Sequence, residues 1–180
     1  MKRVLLASLV LSVPIFLYLR GEAPLPEMNV EEMPTHSEWM EEIQGKLKQN
    51  PNEAELWFQL GHGYLNEQDF NSAVTCFDYA IRLSEKPSAN QLAAKASALY
   101  YVRSQQMTDD VQALLNQALE LDKSNITALT LIANDHFISF RYQQAIDVWT
   151  QLLDSQQADL DRVAIIQSLN QAKLLSQQPK

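Results

Sequence analysis

The chain has 180 residues, of which 46% are apolar and 20% are charged, with four glycines and one cysteine. Its 14 basic and 22 acidic side chains give a net charge of −8, which argues against a nucleic-acid partner, because polyanion-binding surfaces need clustered basic residues. The single cysteine and three histidines lack metal-ligand or haem-attachment spacing, and the sequence contains no phosphate-binding glycine loop or nucleophile elbow. We therefore expect a helical binding domain that has no catalytic residues, metal or cofactor.

The first 20 residues differ in composition from the rest. An uncharged apolar run from Val4 to Leu19 follows Lys2 and Arg3 and ends at Arg20. As a helix the run would span about 24 Å, short of a hydrocarbon core, although the flanking basic side chains can lengthen it. Both a cleaved signal peptide and an uncleaved anchor fit this pattern. Because no small-residue cleavage site follows directly, we favour a single-pass signal-anchor at residues 1–20, with the N-terminus inside.

Residues 21–35 are acidic and contain prolines, and they are typical of an extended linker. A linker of this length has an end-to-end distance of about 20 Å, which would hold the domain near the membrane. Once Lys2, Arg3 and Arg20 are set aside, residues 21–180 carry 11 basic and 22 acidic side chains, a net charge of −11. The part beyond the predicted anchor is therefore markedly acidic.

A helix is predicted over residues 36–50. Thr35 and Glu38 have the spacing of a capping box, in which each side chain satisfies a backbone amide of the first helical turn. Asn50-Pro51 should end this helix. Asn52, with Glu55 three residues later, should be the N-cap of the next helix.

From there the chain repeats. A W-x2-L-G-x2-Y pattern is followed by A-x3-F-x2-A, the signature of the 34-residue tetratricopeptide repeat (TPR), a pair of antiparallel helices. The residues that match are Trp57, Leu60, Gly61, Tyr64, Ala73, Phe77 and Ala80. Gly61 and Ala73 lack bulk and should let the two helices approach closely. The sequence thus predicts an all-α TPR solenoid whose first repeat is 54–87.

Two weaker repeats follow in register. Ala73, Val111 and Ala145 occupy one equivalent position, and Ala80, Ala118 and Leu152 occupy another. The second repeat, 89–125, therefore holds an insertion of about three residues near 104–107, with Thr108 as an N-cap. The third repeat is 126–159, and a capping helix at 160–176 should bury an apolar stripe formed by Val163, Ile166, Leu169 and residues 173–175.

Beyond the generic repeat, residues 36–176 resemble the TPR subunits of bacterial cytochrome c maturation in the Ccm and Nrf systems. The resemblance rests on residues 50–57, on the long turn from Tyr100 to Thr108, on residues 118–122 and on residues 126–129. The ending at 168–175 is more similar to the Nrf branch, which serves the formate-dependent nitrite reductase. A single apolar segment, where larger Ccm relatives have two membrane helices, favours the Nrf branch or a shortened Ccm form.

This resemblance implies a non-catalytic, chaperone-like subunit of a cytochrome c haem lyase. Such a subunit would bind the C-terminal region of an apocytochrome, of the nitrite reductase type, and present it to membrane subunits that attach haem. It would sit in the bacterial inner membrane with its TPR domain in the periplasm. Anchor and repeats alone are also compatible with an adaptor for another envelope assembly complex.

The first helix of each repeat should line a concave surface that seats a peptide, through repeat positions 2, 5, 9, 12 and 13. These positions hold Glu55, Phe58, His62, Leu65 and Asn66; Asn90, Ala93, Ser97, Tyr100 and Tyr101; and Thr127, Thr130, Asn134, Phe137 and Ile138. For any one of them, packing under a neighbouring helix is an equal alternative. The predicted peptide-binding residues are Phe58, His62, Asn66, Asn90, Ser97, Tyr100, Tyr101, Asn134 and Phe137.

Some single residues are better explained by packing than by chemistry. The Lys and Asn that carboxylate-clamp TPRs use at positions 5 and 9 are replaced by Phe58 and His62, so that clamp is absent. His62 lacks a second ligand or an orienting carboxylate at helical spacing, which favours a polar groove contact over haem ligation. His136 and Cys76 are expected to pack between helices.

Overall fold

The computed structural model describes residues 34–177, which belong to one compact unit and contain eight α-helices and no strand. Their bounds are α1 His36–Gln49, α2 Ala54–Asn66, α3 Phe70–Leu83, α4 Ala89–Val102, α5 Asp109–Leu121, α6 Ile126–Ile138, α7 Tyr142–Asp154 and α8 Arg162–Ser176. The predicted anchor at 1–20 and nearly all of the predicted linker at 21–35 lie outside the described residues. Within the described range, no helix is both long and apolar enough to cross a membrane.

The start of α1 has the predicted capping box. The Glu38 N–H donates to Thr35 Oγ1 at 3.3 Å, and the Thr35 N–H donates to Glu38 Oε2 at 2.8 Å. These bonds satisfy two amide groups that a helix start leaves without intrahelical partners. The prediction of an N-cap at Asn52 was wrong by one residue: Glu53 is the N-cap of α2, without a side-chain capping bond, and it accepts a bond from Asn50 Nδ2 instead.

The helices stack in chain order as a solenoid of three pairs, α2 with α3, α4 with α5, and α6 with α7. Helix α1 packs on α2, α4 packs on α6, and α8 packs on α7. The six residues that define the predicted register, Ala73, Val111 and Ala145 together with Ala80, Ala118 and Leu152, are all fully buried. The all-α TPR architecture is therefore confirmed, and the burial of all six residues is consistent with the predicted register.

Two glycines of α2 permit close helix packing. A Cβ on Gly61 would lie 2.5 Å from Phe77 Cε1, closer than van der Waals contact, and Phe77 is completely buried. This confirms the role predicted for Gly61. Gly63 has the same function toward α1, because a Cβ there would overlap the Met40 sulfur and lie 3.0 Å from Trp39 Cζ3. The sequence pattern did not single out Gly63, since the TPR signature has no fixed residue there.

The insertion in the second repeat lies in the turn between its helices. Residues 103–108 connect α4 to α5. The corresponding turns in the other two pairs have three residues each, 67–69 and 139–141. The longer turn is braced by the Arg103 guanidinium, which donates to Asp110 Oδ2 at 3.0 Å. Thr108 is the N-cap as predicted, but its side chain bonds to the Asp110 carboxylate, not to the backbone.

The apolar stripe predicted for the last helix was wrong. Ile165, Leu169 and Ala172 are the buried residues of α8, whereas Val163 and Leu174 are each 67% exposed. Leu169 is the one predicted member that is buried. The error arose because the helix carries apolar residues on two faces, and sequence periodicity does not show which of two faces meets α7.

Candidate peptide-binding surface

Two clefts open along the first helices of the repeats. We call the first the acidic cleft; it has a volume of about 410 Å³ and crosses α2, α4 and the start of α6. It is lined by Phe58, His62, Asn90, Ala94, Asp122, Asn125, Ile126, Thr127, Gln157 and Asp159. We call the second the tyrosine cleft; it has a volume of about 470 Å³ and is lined by Leu65, Gln68, Phe70, Ser97, Tyr101 and Gln105.

The two clefts follow the same pair of helices. Asn90 and Ala94 line the acidic cleft, and Ser97 and Tyr101 line the tyrosine cleft. These four residues of α4 have helical spacing that places them on one face. On α2, Phe58 and His62 precede Leu65 in the same way. The clefts are therefore two parts of one continuous surface formed by α2 and α4.

The aromatic wall of the acidic cleft is built from α2. The rings of Phe58 and His62 meet edge to face with centroids 4.7 Å apart, and His62 also lies 5.3 Å from the ring of Phe77. Partial burial against these rings lowers the pKa of His62, an effect that nearby Glu55 partly opposes. His62 is therefore expected to be neutral at pH 7 and able to donate one hydrogen bond and accept another.

An amide pair forms the floor of the acidic cleft. Asn125 is 2% exposed and caps α6, with its Oδ1 accepting from the Ala128 N–H at 3.0 Å. Its Nδ2 donates to Asn90 Oδ1 at 2.7 Å. Because the carbonyl oxygen of Asn90 is used in this way, its NH2 group is left to face a ligand.

Tyr101 provides the exposed aromatic surface of the tyrosine cleft. Its ring is 43% exposed and stacks on Phe70, the first residue of α3, with centroids 4.7 Å apart and an interplanar angle of 16°. The Ser97 hydroxyl is turned back onto its own helix and donates to the Ala93 carbonyl at 2.9 Å. An aromatic pair that is ordered before binding can contact a peptide at a small entropic cost.

Two predicted groove residues pack against neighbouring helices. Tyr100 is 3% exposed, and its hydroxyl donates to Asp135 Oδ1 at 3.0 Å. Phe137 is half-buried and lies 5.7 Å from Trp149 and 5.6 Å from Tyr142 between ring centroids. The prediction that the Tyr100 ring forms the groove surface was therefore wrong, whereas the binding role of the half-buried Phe137 stays a prediction. Position 12 of the second repeat turns toward α6, and position 12 of the third repeat turns toward α7.

The other predicted residues fall into two groups. Phe58, His62 and Asn90 line the acidic cleft, and Ser97 and Tyr101 line the tyrosine cleft, where their binding role stays a prediction. Asn66 and Asn134 are exposed but line neither cleft.

Several cleft residues were missed because they lie outside the five repeat positions. Asn125 precedes α6, Asp122 is in the loop before it, and Gln157 and Asp159 are in the connection between α7 and α8. Gln157 Nε2 donates to the Ser124 carbonyl at 2.6 Å, which ties the two loops together. An Asn directly before an apolar helix is a recognisable N-cap. No local pattern would have placed Gln157 or Asp159 in the cleft.

The remaining predicted packing residues lie between helices. Cys76 is buried, and its burial raises the pKa of the thiol to about 11, so it is an unreactive packing residue, as predicted. His136 is partly buried, and its Nδ1 accepts from Arg141 Nε at 2.9 Å. Within residues 34–177, no three His, Cys, Asp or Glu side chains are grouped closely enough to hold a metal ion.

A comparison with protein families matches residues 31–163 to the TPR domain of cytochrome c-type biogenesis protein H. The chain belongs to this family. The matched range contains every residue that lines the acidic and tyrosine clefts, whereas most of α8 lies beyond it.

Relatives within the cytochrome c biogenesis family include two subunits of nitrite reductase complexes. The formate-dependent nitrite reductase complex subunit NrfG of Escherichia coli O157:H7 is 35% identical over 158 residues, which cover 88% of this chain and 78% of that protein. The bifunctional subunit NrfFG of Haemophilus influenzae is 42% identical over 142 residues. This second match covers 78% of the present chain but 36% of the longer relative.

Among solved structures, the chain is similar to the APC/C hetero-tetramer Cut9-Hcn1, with a TM-score of 0.67 and 14% identity. That match covers 79% of this chain and 27% of the solved one. At this low identity the likeness concerns the helical solenoid alone. The match that bears on function is the one to the cytochrome c-type biogenesis family.

Proposed function

We propose that this chain is the non-catalytic TPR subunit of a cytochrome c haem lyase of the nitrite reductase branch. It binds the C-terminal region of an apocytochrome in an extended form and presents it to membrane subunits that attach the haem. The observation that carries the proposal is the continuous surface of α2 and α4, with its aromatic and amide side chains. Membership of a cytochrome c biogenesis family supports an apocytochrome as the ligand of that surface.

The two clefts suit an unfolded chain better than a folded partner. Phe58 and Tyr101 offer apolar area at separate points along the surface, and Asn90 offers amide N–H groups in the same cleft as Phe58. Side-chain amides can pair with the backbone of any extended peptide, so this arrangement recognises a chain with modest sequence specificity. Such recognition fits a protein that must hold its client before the client folds around haem.

The proposed location is the periplasmic face of the bacterial inner membrane. The apolar run from Val4 to Leu19 would act as an uncleaved anchor, and Lys2 and Arg3 would keep the N-terminus in the cytoplasm. Mass spectrometry of the protein purified from membranes should find an N-terminus within a residue of Met1. A mature form that starts near Gly21 or Ala23 would contradict the anchor.

The function is tested by two independent measurements on the full chain purified in detergent. Calorimetry should detect micromolar binding of a C-terminal peptide from the nitrite reductase apocytochrome, and affinity purification from solubilised membranes should recover haem-lyase subunits. If no apocytochrome peptide binds, and unrelated envelope proteins co-purify, the chain is an adaptor of another assembly.

A further inference from the structure

The acidic cleft carries negative charge without an opposing cation. Its ten lining residues include two carboxylates, Asp122 and Asp159, and neither Lys nor Arg. Glu55 lies one helical turn before the aromatic wall, close enough to influence the pKa of His62. A peptide that enters this cleft therefore meets a site that attracts positive charge.

The nearest basic side chain on α4 is engaged elsewhere. Lys95 follows the cleft residue Ala94, but its Nζ lies 2.5 Å from Asp78 Oδ1 on α3. Lys123 follows Asp122 in the chain and is not among the residues that line the cleft. His62 adds no charge at neutral pH, since its partial burial disfavours the protonated ring.

The cleft also has the chemistry that a long basic side chain requires. Lys and Arg combine an aliphatic stem with a charged end, so they need an apolar wall beside an anionic group. Phe58 and His62 form such a wall, and Asp122 and Asp159 supply carboxylates from the loops next to α6 and α8. Asp122 Oδ1 accepts from the Ser124 N–H at 3.0 Å, which fixes the orientation of this carboxylate.

We infer that the acidic cleft receives a Lys or Arg side chain of the client peptide, and that the terminal carboxylate of the peptide is not the group recognised there. The inference rests on the proposed function and specifies what that function selects. The position recognised is then a basic residue within the C-terminal region, bound by its side chain at Asp122 and Asp159 and by its backbone at Asn90.

One feature of the cleft acts in the opposite direction. The start of α6 faces the cleft, and helix N-termini carry about half a positive charge, which favours anions. Asn125 already satisfies one of the exposed amides, that of Ala128. Two full carboxylate charges outweigh one partial charge, so the net preference remains for a cation.

The test uses full chain in detergent and overlapping synthetic peptides that tile the C-terminal 40 or so residues of the nitrite reductase apocytochrome. The strongest binder should contain Lys or Arg. Replacing that residue by Gln should raise the dissociation constant of the peptide about tenfold, as expected for the loss of a charge-assisted contact. Amidation of the peptide C-terminus should change the constant by less than about twofold.

Matched variants of the protein locate the charge. The double variant Asp122→Asn, Asp159→Asn keeps the shape of both side chains, and it should weaken binding of the basic peptide about as much as the Gln replacement in the peptide does. Combining the protein variant with the Gln peptide should cause no further loss of affinity. The control is Asp147→Asn, Asp154→Asn, which removes the same charge from exposed positions of α7, outside the cleft, and should leave affinity unchanged.

The outcomes separate the inference from the function it rests on. A strongest binder without a basic residue, equal binding of the Lys and Gln peptides, or a large loss on amidation would overturn the inference and leave the proposed function standing. Equal losses in the cleft variant and the α7 control would also overturn it, because the attraction would then come from the overall charge. The absence of binding by every peptide would contradict the proposed function itself.

Discussion

The Tyr100 hydroxyl donates a hydrogen bond to the Asp135 carboxylate, 3.0 Å away, and this bond joins the second repeat to the third. Asp135 is 4% exposed, so its charge depends on partners inside the protein. Arg141 supplies the opposite charge through Nη2, and its Nε bonds to His136. This network fixes the relative position of α4 and α6, and therefore the spacing of the helices that form the acidic cleft.

Removing the hydroxyl should weaken that joint between the second and third repeats. Tyr100→Phe leaves a buried carboxylate with one fewer donor, which should lower the free energy of unfolding by about 1–3 kcal/mol. Urea denaturation monitored by circular dichroism measures the change. The matched control is Tyr101→Phe, at a neighbouring ring that is 43% exposed, which should change stability by less than about 0.5 kcal/mol. Equal effects of the two substitutions would show that the bond to Asp135 contributes nothing.

Local packing predicts opposite effects for alanine substitutions at two glycines. Gly61→Ala would place a methyl group against the ring of Phe77, which is fully buried, so the free energy of unfolding should fall by about 1–3 kcal/mol. Gly45 lies within α1, and a Cβ added there would meet no packing partner within 4 Å. Gly45→Ala should therefore raise stability by about 0.5–1 kcal/mol through helix propensity. Thermal unfolding of both variants compares the two, and stabilisation by Gly61→Ala would contradict the packing described.

Phe140 has an unfavourable backbone conformation, and its apolar ring is exposed to solvent. Its φ is 60°, in the left-handed region, and its side chain is 78% exposed in the turn between α6 and α7. Phe140→Gly should therefore raise the free energy of unfolding by about 1 kcal/mol, because glycine adopts this conformation without steric cost. Differential scanning calorimetry measures the shift in Tm. A lower Tm would mean that the Phe140 ring contributes more through its contact with Tyr142 than its backbone costs.

Stability should decrease as the pH falls below neutrality. Partial burial lowers the pKa of both His62 and His136 in the folded protein, and Arg141 lowers that of His136 further. The unfolded chain then binds more protons than the folded one, so the free energy of unfolding falls as the pH drops from about 7, through the usual histidine pKa near 6.5, toward the lowered values. Urea titrations at pH 7.5, 6.5 and 5.5 should show this loss, and His62→Gln should reduce its slope. A stability that rises over the same interval would contradict the shielding of these rings from water.

The sequence predicted the fold better than it predicted the surface. The TPR signature depends on small residues such as Gly61 and Ala73 and on the rings that fill the space beside them, so sequence spacing alone located the helix pairs. The direction of Tyr100 was not predictable in this way, because it depends on Asp135, 35 residues later, which offers a buried acceptor. Asp159 lies in the connection before the last helix, and it reaches the acidic cleft because this connection packs against the loop that precedes α6, where Gln157 bonds to the Ser124 carbonyl. Local patterns thus predict helices, while the lining of a cleft depends on contacts between distant repeats.

The central claim, a peptide site on the surface of α2 and α4, is tested most directly by finding where the peptide lies. A photoreactive phenylalanine analogue placed at Asn90 or Ser97, one in each cleft, should form a covalent adduct with a bound apocytochrome peptide, which mass spectrometry identifies. The same analogue at Gln117, an exposed position of α5 outside both clefts, should form none. Adducts at Asn90 and Ser97 but not at Gln117 would support the site, whereas adducts at Gln117 alone would place the peptide on another face and contradict the central claim.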